Sequence, residues 1–311
     1  MTTPVRYLLM IMLFVAATNV PRPGAPSTFA WTKLLDAGPW RKSYNFQLFS
    51  HHDTLWAFHP DGTWFSADGQ HWVKSPLRNA IDNQAFLDYV PFNNTMLGLG
   101  HFTGNIDRHT FRPDIYQSPD MKHWNRLAGS NLPQRFFYHP FVFQNKIWII
   151  GGEDKRTQFA DIWNSADGVH WQRVKDNLPF GKRSSSQVVT LNNRLYLLNN
   201  DVWSSADGLN WRLETPEIVK GASIFGYAAV VLDGKIWLLG CNRNGQFSSQ
   251  VLVSADGRAW QGQNAPWSPR GGIAACAHRG KIYMTGGKYG GQDTAHPDFV
   301  YSNDVWVLQA N

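Results

Sequence analysis

The sequence predicts an all-β protein, a six-bladed β-propeller of four-stranded blades closed by the N-terminal strand completing the last blade. Three observations predict it. A Ser-Ala-Asp-Gly-x-x-Trp segment recurs at residues 66–72, 165–171, 205–211 and 254–260, with a degenerate copy at 118–124. A second landmark, Asp-Ile/Val-Trp/Tyr, runs ahead of most copies and places equivalent residues at 64, 116, 163, 203, 252 and 306, with gaps of 52, 47, 40, 49 and 54. Repeats of about 40–50 residues belong to propellers, in which each unit is one small sheet. No helix-period stretch follows residue 30, the third observation.

The elements follow in chain order. Residues 1–27 read as a signal peptide and short linker: Arg6, an apolar run from Tyr7 to Ala17, and small residues at Val15-Ala16-Ala17. That run is shorter than the roughly 20 apolar residues of a spanning helix. The expectation is a secreted or periplasmic protein with no membrane contact after cleavage. Ala30 to Leu34 is the N-terminal strand, expected beside Asp304 to Leu308 with Trp31 opposite Trp306. Residues 28–311 then form one propeller domain.

Each unit opens on an apolar strand such as Gly226 to Leu232, followed by a Lys-Ile-Trp-like strand at 146–150, 194–198, 235–239 and 281–285. The Asp-x-Trp strand is third. The Ser-Ala-Asp-Gly turn reads as a three-residue hairpin with Gly168 in the left-handed position. Symmetry about Asp167 then sets Trp163 opposite Trp171, Trp64 opposite Trp72, Tyr116 opposite Trp124 and Trp203 opposite Trp211. Met121 stands where the other turns have Gly, so strain is expected there.

Leu132-Pro133-Gln134-Arg135 through Gly151-Gly152 resembles the kelch signature, as does Pro269-Arg270 through Gly286-Gly287. The chain thus resembles kelch-like propellers of the galactose oxidase/kelch superfamily over residues 29–311. Its Ser-x-Asp-Gly-x-x-Trp turns resemble the Asp-box of sialidases, one residue short. The resemblance implies a fold, and a fold shared so widely does not imply a function.

Composition narrows the classes. The net charge of +6 comes from 29 basic and 23 acidic side chains. It is scattered rather than striped, which argues against nucleic acid and for a mild attraction to anions. Cys241 and Cys276 are expected to be buried and unlinked. No metal-ligand spacing appears and no cofactor is expected.

Length variation points to the working face. The stretch from the second-strand to the third-strand landmark is 8, 19, 15, 7, 15 and 23 residues in the six units. Variable loops on a rigid scaffold are where binding residues gather. Tall walls on units two–three and five–six predict a trough between them. Arg135, Arg183 and Arg270 recur 13 residues before the second-strand aromatic, with Arg41 nearby in the first unit. Kelch-type adaptors hold acidic peptides with similarly placed arginines, and a guanidinium fork suits carboxylates. The alternative is that these arginines bond backbone carbonyls of the neighbouring blade. His101, Asp107, Lys155, Arg156, Arg243, Lys288 and Tyr289 complete the candidate ligand-binding set.

The expected function is a non-catalytic binding module, a monomer, for a small anionic molecule, a glycan or an acidic peptide. The alternative is a carbohydrate-active enzyme such as a sialic-acid mutarotase or glycosidase-like protein, with an acid/base pair drawn from His101, Asp107, His109 and Glu153. The sialidase Phe/Tyr-Arg-Ile-Pro motif is absent, and no further domain of the kind galactose oxidase carries is expected.

Overall fold

The computed structural model describes residues 29–44, 46–75, 87–103, 110–154, 156–291 and 298–310, and the side chains of 101–113 are not part of that description. Among the described residues all regular structure is β-strand. Five antiparallel sheets have four strands each. The first holds Gln47–His51, Thr54–His59, Gly62–Ser66 and Val73–Lys74; the second Asp88–Phe92, Thr95–Thr103, Thr110–Ser118 and Asn125–Leu127. The third holds Phe141–Phe143, Lys146–Ile150, Ile162–Ser165 and Trp171–Lys175; the fourth Gln187–Leu191, Arg194–Leu198, Val202–Ser205 and Arg212–Thr215. The fifth holds Ala228–Leu232, Lys235–Leu239, Gln250–Ser254 and Gln261–Asn264.

The sixth sheet takes strands from both ends of the chain. Gly271–His278, Lys281–Gly290 and Val305–Ala310 are followed by Phe29–Leu35, and Phe299–Tyr301 pairs the far end of Lys281–Gly290. The register places Trp31 opposite Leu308 and Lys33 opposite Trp306, so the expected Trp31–Trp306 pair is offset by two residues. Trp31 instead packs edge-on against Trp267, with ring centroids 4.3 Å apart.

In every sheet the first two strands are joined by a two-residue turn, such as His51↔Thr54, Leu191↔Arg194 and His278↔Lys281. Its residues have φ > 0, as in His52-Asp53, Asn192-Asn193 and Arg279-Gly280. This is the mirror-image turn whose twist matches the strands. It recurs with different residues and left no repeated motif in the sequence.

The Ser-Ala-Asp-Gly turn is longer than the three-residue hairpin expected. Ser165 pairs with Trp171, so five residues intervene and the centre is Gly168, not Asp167. The Asp167 carboxylate causes this. Its Oδ1 accepts the N–H groups of Val169 and His170, both at 2.8 Å, and carries the chain two residues further before pairing resumes. Ser165 Oγ accepts the Gly168 N–H at 2.8 Å, and Trp171 Nε1 donates to the Gly168 carbonyl at 2.9 Å. The consequence is a correction to all four aromatic pairs. Trp163 faces Arg173, Trp64 faces Lys74, Tyr116 faces Arg126 and Trp203 faces Leu213.

These turns join one sheet to the one before it. A Cβ on Gly168 would stand 2.7 Å from Leu97 of the second sheet, and one on Gly257 2.8 Å from Tyr196 of the fourth. A Cβ on Gly69, in the first sheet, would stand 2.5 Å from Tyr283 of the sixth. Met121 keeps the left-handed conformation (φ 65°), and its side chain is fully buried with Trp56 and Met96. Between sheets the cores are aromatic and aliphatic, for instance Leu97, Ile147, Ile149 and Trp171.

The first strands of neighbouring sheets pack side by side: second against third, fourth against fifth, fifth against sixth, and sixth against first. At the last of these contacts Ser50 Oγ meets His278 Nδ1 at 2.8 Å, and Arg279 forms an ion pair with Asp53. Cys241 is buried and Cys276 half-buried, and both are free thiols. Burial pushes both thiols up in pKa. No helix among the described residues is long and apolar enough to cross a membrane.

Candidate functional site

The connections between second and third strands hold the extra chain. The second sheet extends into a hairpin arm reaching Thr103 and Thr110. Beside the fifth lies a separate ribbon of Ile224–Phe225, Cys241–Arg243 and Gln246–Ser248. The sixth carries Phe299–Tyr301, while the first and fourth turn back directly.

The repeated arginines are internal braces. Arg135 binds Asp161 through both Nη atoms at 2.6 and 3.1 Å, and its Nη1 also donates to the Gly151 carbonyl at 2.8 Å. Arg183 holds Asp201 in the same two-pronged way at 2.8 and 3.2 Å, and donates to the Phe180 carbonyl. Arg270 holds Asp304 and donates to the Ser268 and Gly286 carbonyls. Each aspartate is the first residue of its own sheet's Asp-x-Trp landmark. Its second oxygen also accepts the indole N–H two residues on, at 2.7–2.8 Å from Trp163, Trp203 and Trp306. The carbonyls expected from the neighbouring blade come from the same sheet instead. A carboxylate that was read only as a landmark is the main partner. Burial raises the Asp161 pKa, but the bonds from Arg135 and Trp163 outweigh it and hold the carboxyl below its usual range.

The other candidates separate. Arg41 is exposed and meets Asp61 at 3.2 Å. Arg243 donates to Gln250 Oε1 at 2.6 Å, Gln250 standing where other sheets have the aspartate. Arg156 is exposed on a turn in which Asp154 Oδ1 accepts its backbone N–H at 2.7 Å. His101 pairs its backbone with Arg112, while Asp107, His109 and Lys155 lie outside the described residues. Glu153 Oε2 accepts from Ser184 Oγ at 2.5 Å and Gln158 Nε2 at 3.2 Å. Tyr289 sits in the sixth sheet opposite Val300.

Lys288 is different. Its ammonium lies 4.0 Å from the centroid of Phe299 and 4.4 Å from that of Tyr44, and among the described residues no carboxylate pairs with it. Tyr44 stacks on Tyr301 at 5.7 Å, and Phe247 meets Phe299 at 6.4 Å. Phe299 and, on the ribbon, Phe225 are among the few exposed large apolar side chains. Ring faces hold a cation by their quadrupole, whereas burial lowers the Lys288 pKa. Neither Tyr44 nor Phe299 belongs to a repeated motif, so nothing in the sequence joined them to Lys288.

Two titratable groups missed by the sequence reading stand near the starts of inner strands. Burial pushes the Asp88 carboxyl well up, against a hydrogen bond from Gln47 that lowers it. Burial pulls His139 down to about 4. No cluster of three metal-ligating side chains occurs among the described residues.

Comparison with known proteins bears on the fold. The model of a family described as the DUF6242 beta propeller domain matches residues 118–228, from the end of the second sheet to the start of the fifth. A solved structure titled "Structure of YjhT" is similar with a TM-score of 0.70, at 10% sequence identity, over 89% of this chain and 97% of that one. No curated protein matches the sequence. The fold is a β-propeller.

Proposed function

We propose that the six sheets are the blades of one closed, kelch-type ring, and that this exported protein binds an anionic or glycan-like ligand without transforming it. Closure is supported by the pairing of Phe29–Leu35 with Val305–Ala310 and by a repeated junction. Gly152 donates to the Arg183 carbonyl at 2.9 Å between third and fourth sheets. Gly287 donates to the Ser43 carbonyl at 3.0 Å between sixth and first. Residues 1–27 read as a leader, which supports a secreted or periplasmic location.

One observation carries the ligand reading: Lys288 presents a positive charge flanked by Tyr44 and Phe299 on the face where the long connections gather. A cation with no carboxylate partner among the described residues suits an anionic group, and exposed aromatic faces suit the C–H surface of a sugar. The walls on sheets two–three and five–six would give the ligand a trough. Arg135, Arg183 and Arg270 shape this face from within rather than lying free on it.

Calorimetric titration with glucuronate, glucose and acetate tests the reading. Glucuronate should bind more tightly than either of the others, and Lys288→Met should weaken it about tenfold or more, as loss of a charge-assisted bond does. Unchanged glucuronate affinity in Lys288→Met would overturn it. The alternative, a carbohydrate-active enzyme, draws support from the opposed pKa directions of Asp88 and His139, and polarimetry of freshly dissolved sugars distinguishes it by turnover.

A further inference from the structure

The inner strands of the six sheets share one level. Gln47 pairs with Phe58, Asp88 with Leu99, Gln187 with Leu198, Ala228 with Leu239 and Ala274 with Thr285. His139 comes two residues before Phe141, whose partner Trp148 fixes the same level in the third sheet. Four consecutive sheets therefore present Gln, Asp, His and Gln there, and the last two present Ala.

The level lies where the chain enters each inner strand, the end on which the long connections stand. Lys288 belongs to that end, since it pairs with Gly271, three residues before Ala274. Gln47, Asp88, His139 and Gln187 are each partly exposed, although each inner strand is covered along one edge by the second strand of its sheet. Neighbouring sheets pack against its faces. What remains open is the uncovered edge, which in a closed ring faces the axis.

We infer that Gln47, Asp88, His139 and Gln187 form one hydrogen-bonding arc that receives the hydroxyl groups of the ligand whose charged end sits at Lys288. The inference rests on the closed-ring and ligand reading above and deepens it. Gln47 Nε2 donates to the Leu87 carbonyl at 3.0 Å, so this side chain reaches across to the second sheet beside Asp88. Burial pushes the Asp88 carboxyl up, towards the protonated form that can donate a hydrogen bond. His139, pulled down, is a neutral ring with one donor and one acceptor. Next to it the Tyr138 hydroxyl is buried with no hydrogen-bond partner among the described residues, and burial opposes its ionisation. The arc offers both donors and acceptors, which suits hydroxyls. Ala228 and Ala274 leave room on the side where Lys288 stands.

Saturation-transfer NMR with glucuronate and glucose tests it, with thermal melting as the check on folding. Wild type should transfer saturation to the ring protons of both sugars. His139→Ala and Gln187→Ala should each weaken glucuronate about 5–10-fold, the loss of one hydrogen bond. Asp88→Asn, which keeps a neutral donor, should stay within about twofold of wild type, whereas Asp88→Leu should lose about tenfold. Wild-type binding in both His139→Ala and Gln187→Ala would overturn the arc. So would Asp88→Asn failing as badly as Asp88→Leu, which would mean a charged carboxylate is needed. If Asp88→Leu does not fold, the His139 and Gln187 variants decide alone. Loss of binding only in Lys288→Met overturns the arc and leaves the anion reading standing; absence of transfer to either sugar in wild type overturns both.

Discussion

The third sheet and the first follow the same plan and are braced differently. In the third, Arg135 is buried and holds Asp161, which in turn holds Trp163. In the first, the equivalent positions are Ser43 and Gly62, and an Arg41–Asp61 pair stands on the surface instead. The fourth and sixth sheets follow the third. The fifth has Ile224 and Gln250 at these places, and Arg243 reaches Gln250 from the ribbon. In these five sheets the arginine occurs where the aspartate occurs, and both are missing together; the second sheet keeps the aspartate, Asp114, but has Gln84 at the arginine offset, and Arg126 pairs with Asp114 instead. A residue that comes and goes with an internal partner belongs to the scaffold, and this is the lesson of the comparison. Where the brace is absent, the first and fifth sheets supply residues of the Lys288 neighbourhood, Tyr44 and Phe247.

The difference can be broken most forcefully at Asp161. Asp161→Ala leaves the Arg135 guanidinium buried without its carboxylate, and removing one partner of a buried pair costs about 3–5 kcal/mol. The melting temperature should fall by roughly 6 °C or more; a loss under about 1 kcal/mol in chemical denaturation would show that the brace is not structural. Met121→Gly comes next. It relieves a left-handed residue, worth roughly 1–2 kcal/mol, but empties a fully buried site, which costs about 2–5 kcal/mol. The net should be a destabilisation, and a rise in melting temperature would reverse that ranking.

Acid sharpens the comparison through the same carboxylate. Asp161 has its pKa depressed in the fold, so its contribution is present above the ordinary carboxylate value and is lost as pH falls through the lower folded value. Stability should therefore decline below about pH 4. Asp161→Asn should flatten that decline, and a profile as steep as wild type's would show that other carboxylates cause it. The smallest effect belongs to the surface pair of the first sheet. Arg41→Ala should change stability by no more than about 1 kcal/mol, the range of exposed ion pairs, and a larger loss in urea would give that pair an internal role.

How much was legible in the sequence follows from the same residues. The Ser-Ala-Asp-Gly repeat and the Asp-x-Trp landmark located the strands because turn and core demands repeat in every sheet. The register inside the turn was misread because Asp167 can capture N–H groups either one turn ahead or further on, and only the folded chain shows which. The two-residue turns of the other hairpin left no motif, since His-Asp, Asn-Asn and Arg-Gly all adopt them. For the site, spacing found Arg135, Arg183 and Arg270 but not their occupation by Asp161, Asp201 and Asp304. The signal was the matched absence of both residues in the first and fifth sheets, with the second sheet, which has Asp114 but Gln84, as the exception. Tyr44, Phe299, Asp88 and His139 could not be grouped from spacing, because they belong to four different sheets.

The strand built from Phe29–Leu35 has a mechanical consequence. Phe29 is opposite Ala310, so the two ends of this stretch emerge side by side at the same edge of the sixth sheet. Tension applied to both would load the antiparallel seam one residue pair at a time, as a zipper is loaded, rather than shearing all its bonds together. The seam would yield first, and Phe29, packed edge-on against Trp237 at 5.3 Å, is the first side chain that would have to leave its place.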